Sequence, residues 1–219
     1  MERWVRVRIV FGKRGRLRFL GQLDLGRALE RALRRSGLPV RFSEGFNPRV
    51  RMSFPCASPT GMASSCEIVE VQVLAPAGPE EVLAALSRGL PPDLPLLRAE
   101  EVPEGERLTL REATYAVRTR EGGPPLPAEE ALAGLRSRES IPVERRGRRM
   151  DLGPILRDLR RAEEAMVVRL GFLDGGATAR PEDVVSALGG DPAGFAYERT
   201  GMAARLKRAG AEEDRAYGA

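Results

Sequence analysis

The stretch "WVRVRIVF", Trp4–Phe11, decides the first element of the fold. Apolar residues alternate with arginine along it, and this period of two residues predicts a half-buried β-strand. The turn "GKRGR" follows. The next segment, "LGQLDLGRALERALRRSG", repeats leucine and alanine at helical spacing on one face, which predicts an amphipathic helix. Gly37 is a plausible end for that helix, and Pro39 prevents its continuation.

The same reasoning extends the pattern to about residue 102. A short strand or extended arm is predicted over 38–44, strands over 49–54, 66–74 and 94–103, and a helix over 78–91. With the basic loop counted as an insertion, the order is strand, helix, strand, strand, helix, strand, which is typical of the ferredoxin-like split βαβ arrangement.

The second half repeats this order more faintly, from the strand "EATYAVRTR" to the short strand "FAYERTG". The sequence therefore predicts an α+β protein of two tandem ferredoxin-like (βαββαβ) units with antiparallel sheets. The predicted domains are 1–104, with a basic inserted loop, and 105–200, which is more divergent. Residues 201–219 alternate basic and acidic side chains without a strong apolar face, so they are predicted to be a flexible tail.

Charge is concentrated near the start of the 219-residue chain. Residues 1–55 hold 14 Lys and Arg against four acids, whereas the net formal charge of the whole chain is only +5. A local basic field of this kind binds phosphates, although a solvated basic surface is the simpler interpretation. The hydrophobic fraction of 42% is sufficient for a packed core.

Several kinds of chemistry are excluded by composition. The chain has no histidine, which removes His-based acid–base catalysis and His-containing metal sites. Cys56 and Cys66 are too few for a four-cysteine zinc site, and we expect small buried residues in a reducing cytosol. No catalytic residue, metal site or cofactor is predicted. No apolar run approaches 18 residues and no signal peptide is visible, so the expected location is the cytoplasm, without membrane association.

The stretch "RFSEGFNPRVRMSFP" (41–55) is the strongest binding candidate. Gly45 permits a positive φ or a close backbone approach, and Asn47 before a proline initiates a turn. Phe46 would be a stacking platform for a base. The three arginines of the stretch would contact phosphates; they are Arg41, Arg49 and Arg51. In the alternative interpretation, Phe46 packs onto its own domain and the arginines are only solvated.

A second candidate is "RGRLRFLGQLD" (14–24), which joins the first strand to the first helix. Arg16 and Arg18 could share one surface with the loop arginines and hold phosphates. Gln22 would make a directional contact to a base or ribose, whereas Asp24 is better explained as a helix cap or first-turn acid.

The segments "RFLGQLDL", "ERALRRSGLP" and "SEGFNPRVRMSF" resemble the N-terminal signature of the radical-SAM-linked family of bacterial proteins. The resemblance spans most of residues 5–200, and "RRMDLGPIL" and "RPEDVV" support it later in the chain. It implies an accessory role beside a radical SAM protein. Members of that family often have Ser-His where this chain has Gly21-Gln22, and His-Pro-Lys at 49–51. Gln22 can hydrogen-bond but cannot shuttle a proton at neutral pH.

The leading functional hypothesis is an RNA-binding or substrate-presenting accessory protein of a radical SAM system that modifies RNA, not catalytic by itself. Its expected partners are RNA and the radical SAM protein. One alternative is a metal-independent endoribonuclease, since tandem ferredoxin-like units with basic loops resemble the CRISPR repeat-processing enzymes at the level of fold. The other is a protein-interaction module that docks the radical SAM partner.

Overall fold

The computed structural model describes residues 2–145, 147–174 and 176–218. These residues form a mixed α+β fold with four α-helices and eleven strands. The helices are α1 (Gln22–Arg35), α2 (Pro79–Ser87), α3 (Glu129–Arg136) and α4 (Pro181–Ala187). The strands are β1 (Trp4–Lys13), β2 (Met52–Ser53), β3 (Ala63–Leu74), β4 (Leu96–Val102), β5 (Arg107–Thr119), β6 (Pro142–Arg145), β7 (Arg148–Asp151), β8 (Leu156–Arg161), β9 (Met166–Gly171), β10 (Phe195–Arg208) and β11 (Ala211–Gly218).

The chain divides into two compact units. Unit 1 contains the residues up to Thr109 and the later segment Arg205–Tyr217. Unit 2 contains Leu110–Ala204. The chain therefore passes into unit 2 within β5 and returns to unit 1 within β10. Among the described residues, no helix combines the length and the apolar composition needed to cross a bilayer.

The apolar residues that alternate along β1 form part of the core of unit 1. β1 lies between β4 and β3 and is antiparallel to both, with Val7 opposite Val71. Side chains of a strand alternate between the two faces of a sheet, so one face of β1 and β3 is almost entirely valine, isoleucine and phenylalanine. α1 packs its apolar stripe, including Leu25 and Leu29, into the same core, and α2 adds Val82. The short strand β2 pairs with β3.

On the opposite face of this sheet, a buried arginine pairs with several carboxylates. Arg8 is fully buried, and its guanidinium donates to the carboxylates of Glu70 (2.7 Å), Glu100 (3.1 Å) and Glu106 (3.0 Å). The same guanidinium donates to the hydroxyl of Tyr217 at 3.0 Å. Burial alone would lower the pKa of Arg8, but the hydrogen bond to Glu70 and the surrounding negative charge raise it, so the side chain stays charged.

Unit 2 has the sheet order β10-β5-β9-β8. β9 is antiparallel to both β5 and β8, and β6 and β7 form a separate antiparallel hairpin. α3 packs against β8, burying Leu132 and Leu135. Asp151 closes the end of the β6–β7 hairpin by accepting from the backbone N–H groups of Ile141 and Gly153.

The predicted α+β class is confirmed, but two local predictions need correction. Of the two forms predicted for residues 38–44, the segment takes the extended arm, which makes the isolated bridges Val40–Val73 and Phe42–Val50. The strand predicted over 49–54 is reduced to β2. The predicted flexible tail 201–219 is instead the end of β10 and β11. Its alternating charges pair across the two strands, as in Arg205–Asp214 and Lys207–Glu212.

We predict that Glu106→Gln lowers the free energy of unfolding of the protein by about 3 kcal/mol, because it leaves the buried Arg8 short of one counter-charge. The matched control is Glu101→Gln, whose exposed pair with Arg3 stabilises by less than about 1 kcal/mol. Urea unfolding followed by circular dichroism measures both. Equal, small losses for the two variants would contradict a structural role for the Arg8 cluster.

Candidate functional site

The packing of α1 determines which of its arginines face outward. The helix buries Leu25, Leu29 and Leu33 on the core side. Arg27, Arg31 and Arg34 follow one another at spacings of four and three residues, so they lie in one row along the exposed side. A row of guanidinium groups is therefore presented away from the core.

The basic loop predicted from the sequence folds as a hairpin beside α1. The N–H of Ser43 donates to the carbonyl of Arg49 at 2.7 Å, and the N–H of Arg51 donates to the carbonyl of Arg41 at 2.8 Å. Gly45 has a φ of +116°, a conformation that other residues rarely adopt. Phe46 at the tip is fully exposed, with a relative accessibility of 103%. The loop therefore holds an aromatic ring in solvent.

A buried carboxylate fastens this hairpin to the helix. Glu30 is buried, and its two oxygens accept from Arg34 (2.9 Å) and Arg49 (2.8 Å). Its carboxylate also accepts from the backbone N–H of Val50. Burial by itself would raise the pKa of Glu30, but these hydrogen bonds and the charge of Arg49 hold the pKa below its ordinary value. Glu30 is thus ionised at neutral pH and joins the loop to α1.

Arg34 also joins α1 to the hairpin directly. Its guanidinium donates to the carbonyl of Pro48 and lies 4.8 Å from the ring centre of Phe42. Four groups of the hairpin therefore meet two residues of α1, which fixes the position of the loop without covering Phe46.

Three adjoining depressions follow the exposed side of α1. The first, which we call the helix groove, has a volume of about 580 Å³ and lies between α1 and the segment Asn47–Arg49. The second, the apolar pocket, has a volume of about 420 Å³ and lies between α1, the 3₁₀ turn Gly15–Phe19 with Leu20, and the segment Gly89–Leu94. The third, the end pocket, has a volume of about 170 Å³ and includes Arg88.

The depressions are linked because they share wall residues. Arg27 and Arg31 line both the helix groove and the apolar pocket, whereas Arg35 and Gly89 line both the apolar pocket and the end pocket. The charged residues along all three are six arginines and two carboxylates: Arg27, Arg31, Arg34, Arg35, Arg49, Arg88, Asp24 and Glu30. We call this continuous surface the arginine track.

Most of these guanidinium groups keep donors available for a ligand. Within the part of the chain that the structure describes, the guanidinium of Arg31 makes no hydrogen bond or ion pair. Among the described residues, Arg27 has only an exposed pair with Asp24 at 3.2 Å. Exposed pairs of this kind stabilise little and exchange easily. The middle of the arginine track is therefore ready to bind an anion.

Some of the predicted site residues meet on this surface. Asn47 and Arg49 line the helix groove, and Gly45 and Phe46 form the tip of the same hairpin. Arg16 and Arg18 lie in the 3₁₀ turn that supplies Leu17 to the apolar pocket. Arg16 is exposed, while Arg18 donates to the carbonyl of Gly15 and lies over the ring of Phe19.

The other predicted residues lie elsewhere. The side-chain oxygen of Gln22 accepts from the backbone N–H of Ser58 at 2.8 Å, so it tethers the loop before β3. Arg41 donates to Gln72 and lies over the ring of Trp4, both of which are on the sheet face opposite α1. Arg51 is exposed and lines none of the three depressions. The expectation that all the predicted arginines share one surface is therefore not met, because Arg41 and Arg51 both lie away from the arginine track.

The arginines of α1 are not among the site residues predicted from the sequence. The helical pattern places Arg27, Arg31 and Arg34 off the apolar face of α1, and by itself this assigns them no ligand. The signal that could have found them is their own spacing, since a row of one residue type at i, i+4 and i+7 forms a stripe. What the spacing could not reveal is the wall that the hairpin builds beside the stripe.

In the described ranges 2–145, 147–174 and 176–218, no three His, Cys, Asp or Glu side chains are grouped as metal ligands. Cys66 is buried in β3 with its sulfur 3.9 Å from the hydroxyl of Ser64, whereas Cys56 is half-buried.

Comparison with known families identifies the relatives of this chain. It belongs to a family described as "Uncharacterized protein conserved in bacteria (DUF2344)", whose sequence model matches residues 6–181. No curated protein matches the chain.

We predict that Glu30→Gln lowers the free energy of unfolding by about 2 kcal/mol at pH 7, because it weakens charged hydrogen bonds to a buried acceptor. Since the folded pKa of Glu30 lies below its ordinary value of 4.5, this stabilisation is complete above pH 4.5 and is lost as the pH falls through the lower folded value. Urea unfolding of both proteins at several pH values measures the difference.

The control is Glu44→Gln, which removes an exposed carboxylate from the same hairpin. We expect it to change the free energy of unfolding by less than about 0.5 kcal/mol at every pH. A gap between wild type and Glu30→Gln that stays constant down to pH 3 would count against the ionised Glu30 as the fastening group.

Proposed function

We propose that this bacterial protein binds single-stranded RNA along the arginine track. The observation that carries the proposal is the continuity of three depressions through shared arginines, with six guanidinium groups and only two carboxylates on their walls. Arginine binds phosphate with two parallel hydrogen bonds, and a groove of such residues follows a nucleic-acid backbone. Arg27 and Arg31, at the junction of two depressions, would hold successive phosphates.

The exposed Phe46 favours a single strand over a duplex. A ring that stands in solvent at the tip of a hairpin gains stacking energy only from a base whose face is free. In a duplex the base faces are already stacked on each other. Phe46 adjoins Asn47, which lines the helix groove with Arg49, and the ion pair of Arg49 with Glu30 joins this hairpin to α1.

An accessory role is the second part of the proposal. The resemblance to the radical-SAM-linked family implies that the bound RNA is presented to a radical SAM protein in the cytoplasm. The support here is the sequence signature alone. The test is co-expression with a radical SAM protein from the same organism: a stable complex on gel filtration that retains RNA supports presentation, and separate elution of two active proteins contradicts it.

We also infer that each unit is a ferredoxin-like βαββαβ unit. In unit 1 the chain order is β1-α1-β2-β3-α2-β4, with β4-β1-β3 in the sheet and β2 beside β3. In unit 2 the order β10-β5-β9-β8 repeats this arrangement, with the β6–β7 hairpin inserted after α3. In an experimental structure β5, β9 and β10 should superpose on β1, β3 and β4, and failure to do so would reject the assignment.

We predict that Arg27→Gln/Arg31→Gln reduces the salt dependence of RNA binding. Each lost phosphate contact lowers the slope of log K against log salt by about 0.7 for a single strand, so the pair should lower it by about 1.4. Glutamine preserves helix propensity, which protects the fold. Fluorescence anisotropy with a labelled RNA of about 12 nucleotides, over a series of salt concentrations, measures the slope.

The matched control is Arg111→Gln/Arg138→Gln, which removes two exposed arginines of unit 2 that line none of the three depressions. It changes net charge by the same amount and should leave the slope within error of wild type. If both double variants lower the slope equally, binding depends on net charge and the track is not the RNA site.

We predict that Phe46→Ala weakens RNA binding by about 1–3 kcal/mol through the loss of one stacked base, without changing the salt slope. Phe46→Trp retains an aromatic face and should preserve affinity. The same anisotropy assay measures both. Equal weakening by the alanine and tryptophan variants would mean that binding does not depend on a base stacked on this aromatic face.

The alternative functions give different results in the same preparation. An endoribonuclease would cleave the labelled RNA when the purified chain is incubated with it in EDTA. A protein-docking module would bind the radical SAM partner tightly and show no salt-sensitive RNA binding. Intact RNA together with a steep salt slope would contradict both alternatives.

A further inference from the structure

The apolar pocket differs from the rest of the arginine track in the chemistry of its walls. Its interior is formed by leucine, alanine and proline side chains, among them Leu20, Ala28 and Leu90, and Leu94 is buried behind it. Its volume of about 420 Å³ is within the range of pockets that take small molecules. These apolar side chains offer no hydrogen-bond donor to a phosphate, so this part of the pocket favours an apolar or flat group.

The arginines at the rim limit what the pocket can take. Arg27 and Arg31 belong equally to the helix groove and to this pocket. A ligand that enters the pocket while its phosphate lies in the groove must carry a flat or apolar group next to a negative charge. A nucleotide has this composition, and guanidinium groups at the rim can stack on a base as well as bind its phosphate.

Two hydrogen bonds fix the walls of the pocket. The guanidinium of Arg35 donates to the carbonyl of Gly89 at 3.2 Å, which ties α1 to the segment that forms the far wall. On the near side, the N–H of Leu20 donates to the carbonyl of Leu17 at 3.0 Å and closes the turn that supplies both leucines. Walls that are tied together in this way need little reorganisation on binding.

We infer that the apolar pocket is a nucleobase subsite, which takes one base of the RNA strand whose phosphates lie in the helix groove. This inference rests on the proposed function, because it assigns a second contact to the same strand. Phe46 stacks a base at the hairpin end of the track, and the pocket encloses another base beyond the Arg27–Arg31 ridge.

The test compares two anions, one with bases and one without. Anisotropy measures the affinity of a labelled single-stranded RNA of about 12 nucleotides, and competition measures inorganic polyphosphate. Ala28→Phe fills the pocket from the middle of α1 without changing charge. Ala131→Phe, at an exposed position of α3, is the matched control. We expect Ala28→Phe to weaken RNA about tenfold, to leave polyphosphate unchanged, and Ala131→Phe to alter neither.

A second measurement does not depend on a variant. In wild-type protein with labelled methyl groups, a base in the pocket shifts the methyl resonances of Ala28 and Leu90 through its ring current. RNA should produce these shifts and polyphosphate should not. Methyl shifts that are the same with both anions would overturn the nucleobase subsite, as would equal weakening of both anions by Ala28→Phe.

The results distinguish an error in the nucleobase subsite from an error in the proposed RNA-binding function. If wild type binds RNA with a steep salt slope but Ala28→Phe has no selective effect, the subsite is wrong and the proposed function stands. If wild type binds neither anion, both are wrong. Displacement of RNA by an acidic leucine-containing peptide that shifts the same methyl groups, at lower concentration than RNA itself, would overturn the base subsite in favour of a protein ligand.

Discussion

The packing of one face of α1 against β1 and β3 is the constraint on which the candidate site depends. Leu25, Leu29 and Leu33 can be buried in only one rotation of the helix, because the core valines lie on one face of the sheet. That rotation sets the direction of every arginine on α1. The row Arg27, Arg31 and Arg34 is therefore a consequence of hydrophobic packing, and the arginine track needs no further force to be displayed.

The arginines of unit 1 are of two kinds: Arg8 is buried and fully paired with carboxylates, and the arginines along α1 are exposed. Around Arg8, three glutamates and Tyr217 satisfy a guanidinium that water does not reach, so its charge is neutralised within the fold. Along α1, one buried carboxylate, that of Glu30, serves two arginines and leaves their outer donors exposed. A buried pair is costly to form and strongly destabilising to break, whereas an exposed arginine can change partners. The first class stabilises the sheet, and the second class remains able to bind an anion.

Sequence patterns predicted the elements better than the site. The strand at Trp4–Lys13 and the helix at Gln22–Arg35 follow directly from periods of two and 3.6 residues. The start of β10 was predicted as the strand "FAYERTG", but the end of β10 and all of β11 were missed. The apolar alternation at the end of β10 is short, limited to Met202, Ala204 and Leu206, and β11 buries only Tyr217, so its charged residues give no hydrophobic period. At the site, Asn47 and Arg49 were predicted and Arg31 was not. Arg41, although only eight residues from Arg49, lies on the other face of the sheet.

The sequence by itself determined the order of the elements, the concentration of basic charge in the first quarter of the chain and the aromatic tip of the hairpin, since each of these is a local property. Only the tertiary structure decided which arginines are neutralised and which line a cavity. Arg8 and Glu106 are 98 residues apart in the chain, and Arg49 meets Glu30 across 19 residues. Ion pairs form between atoms that are a few ångströms apart in space, and a local pattern of residues does not show which distant residues come that close.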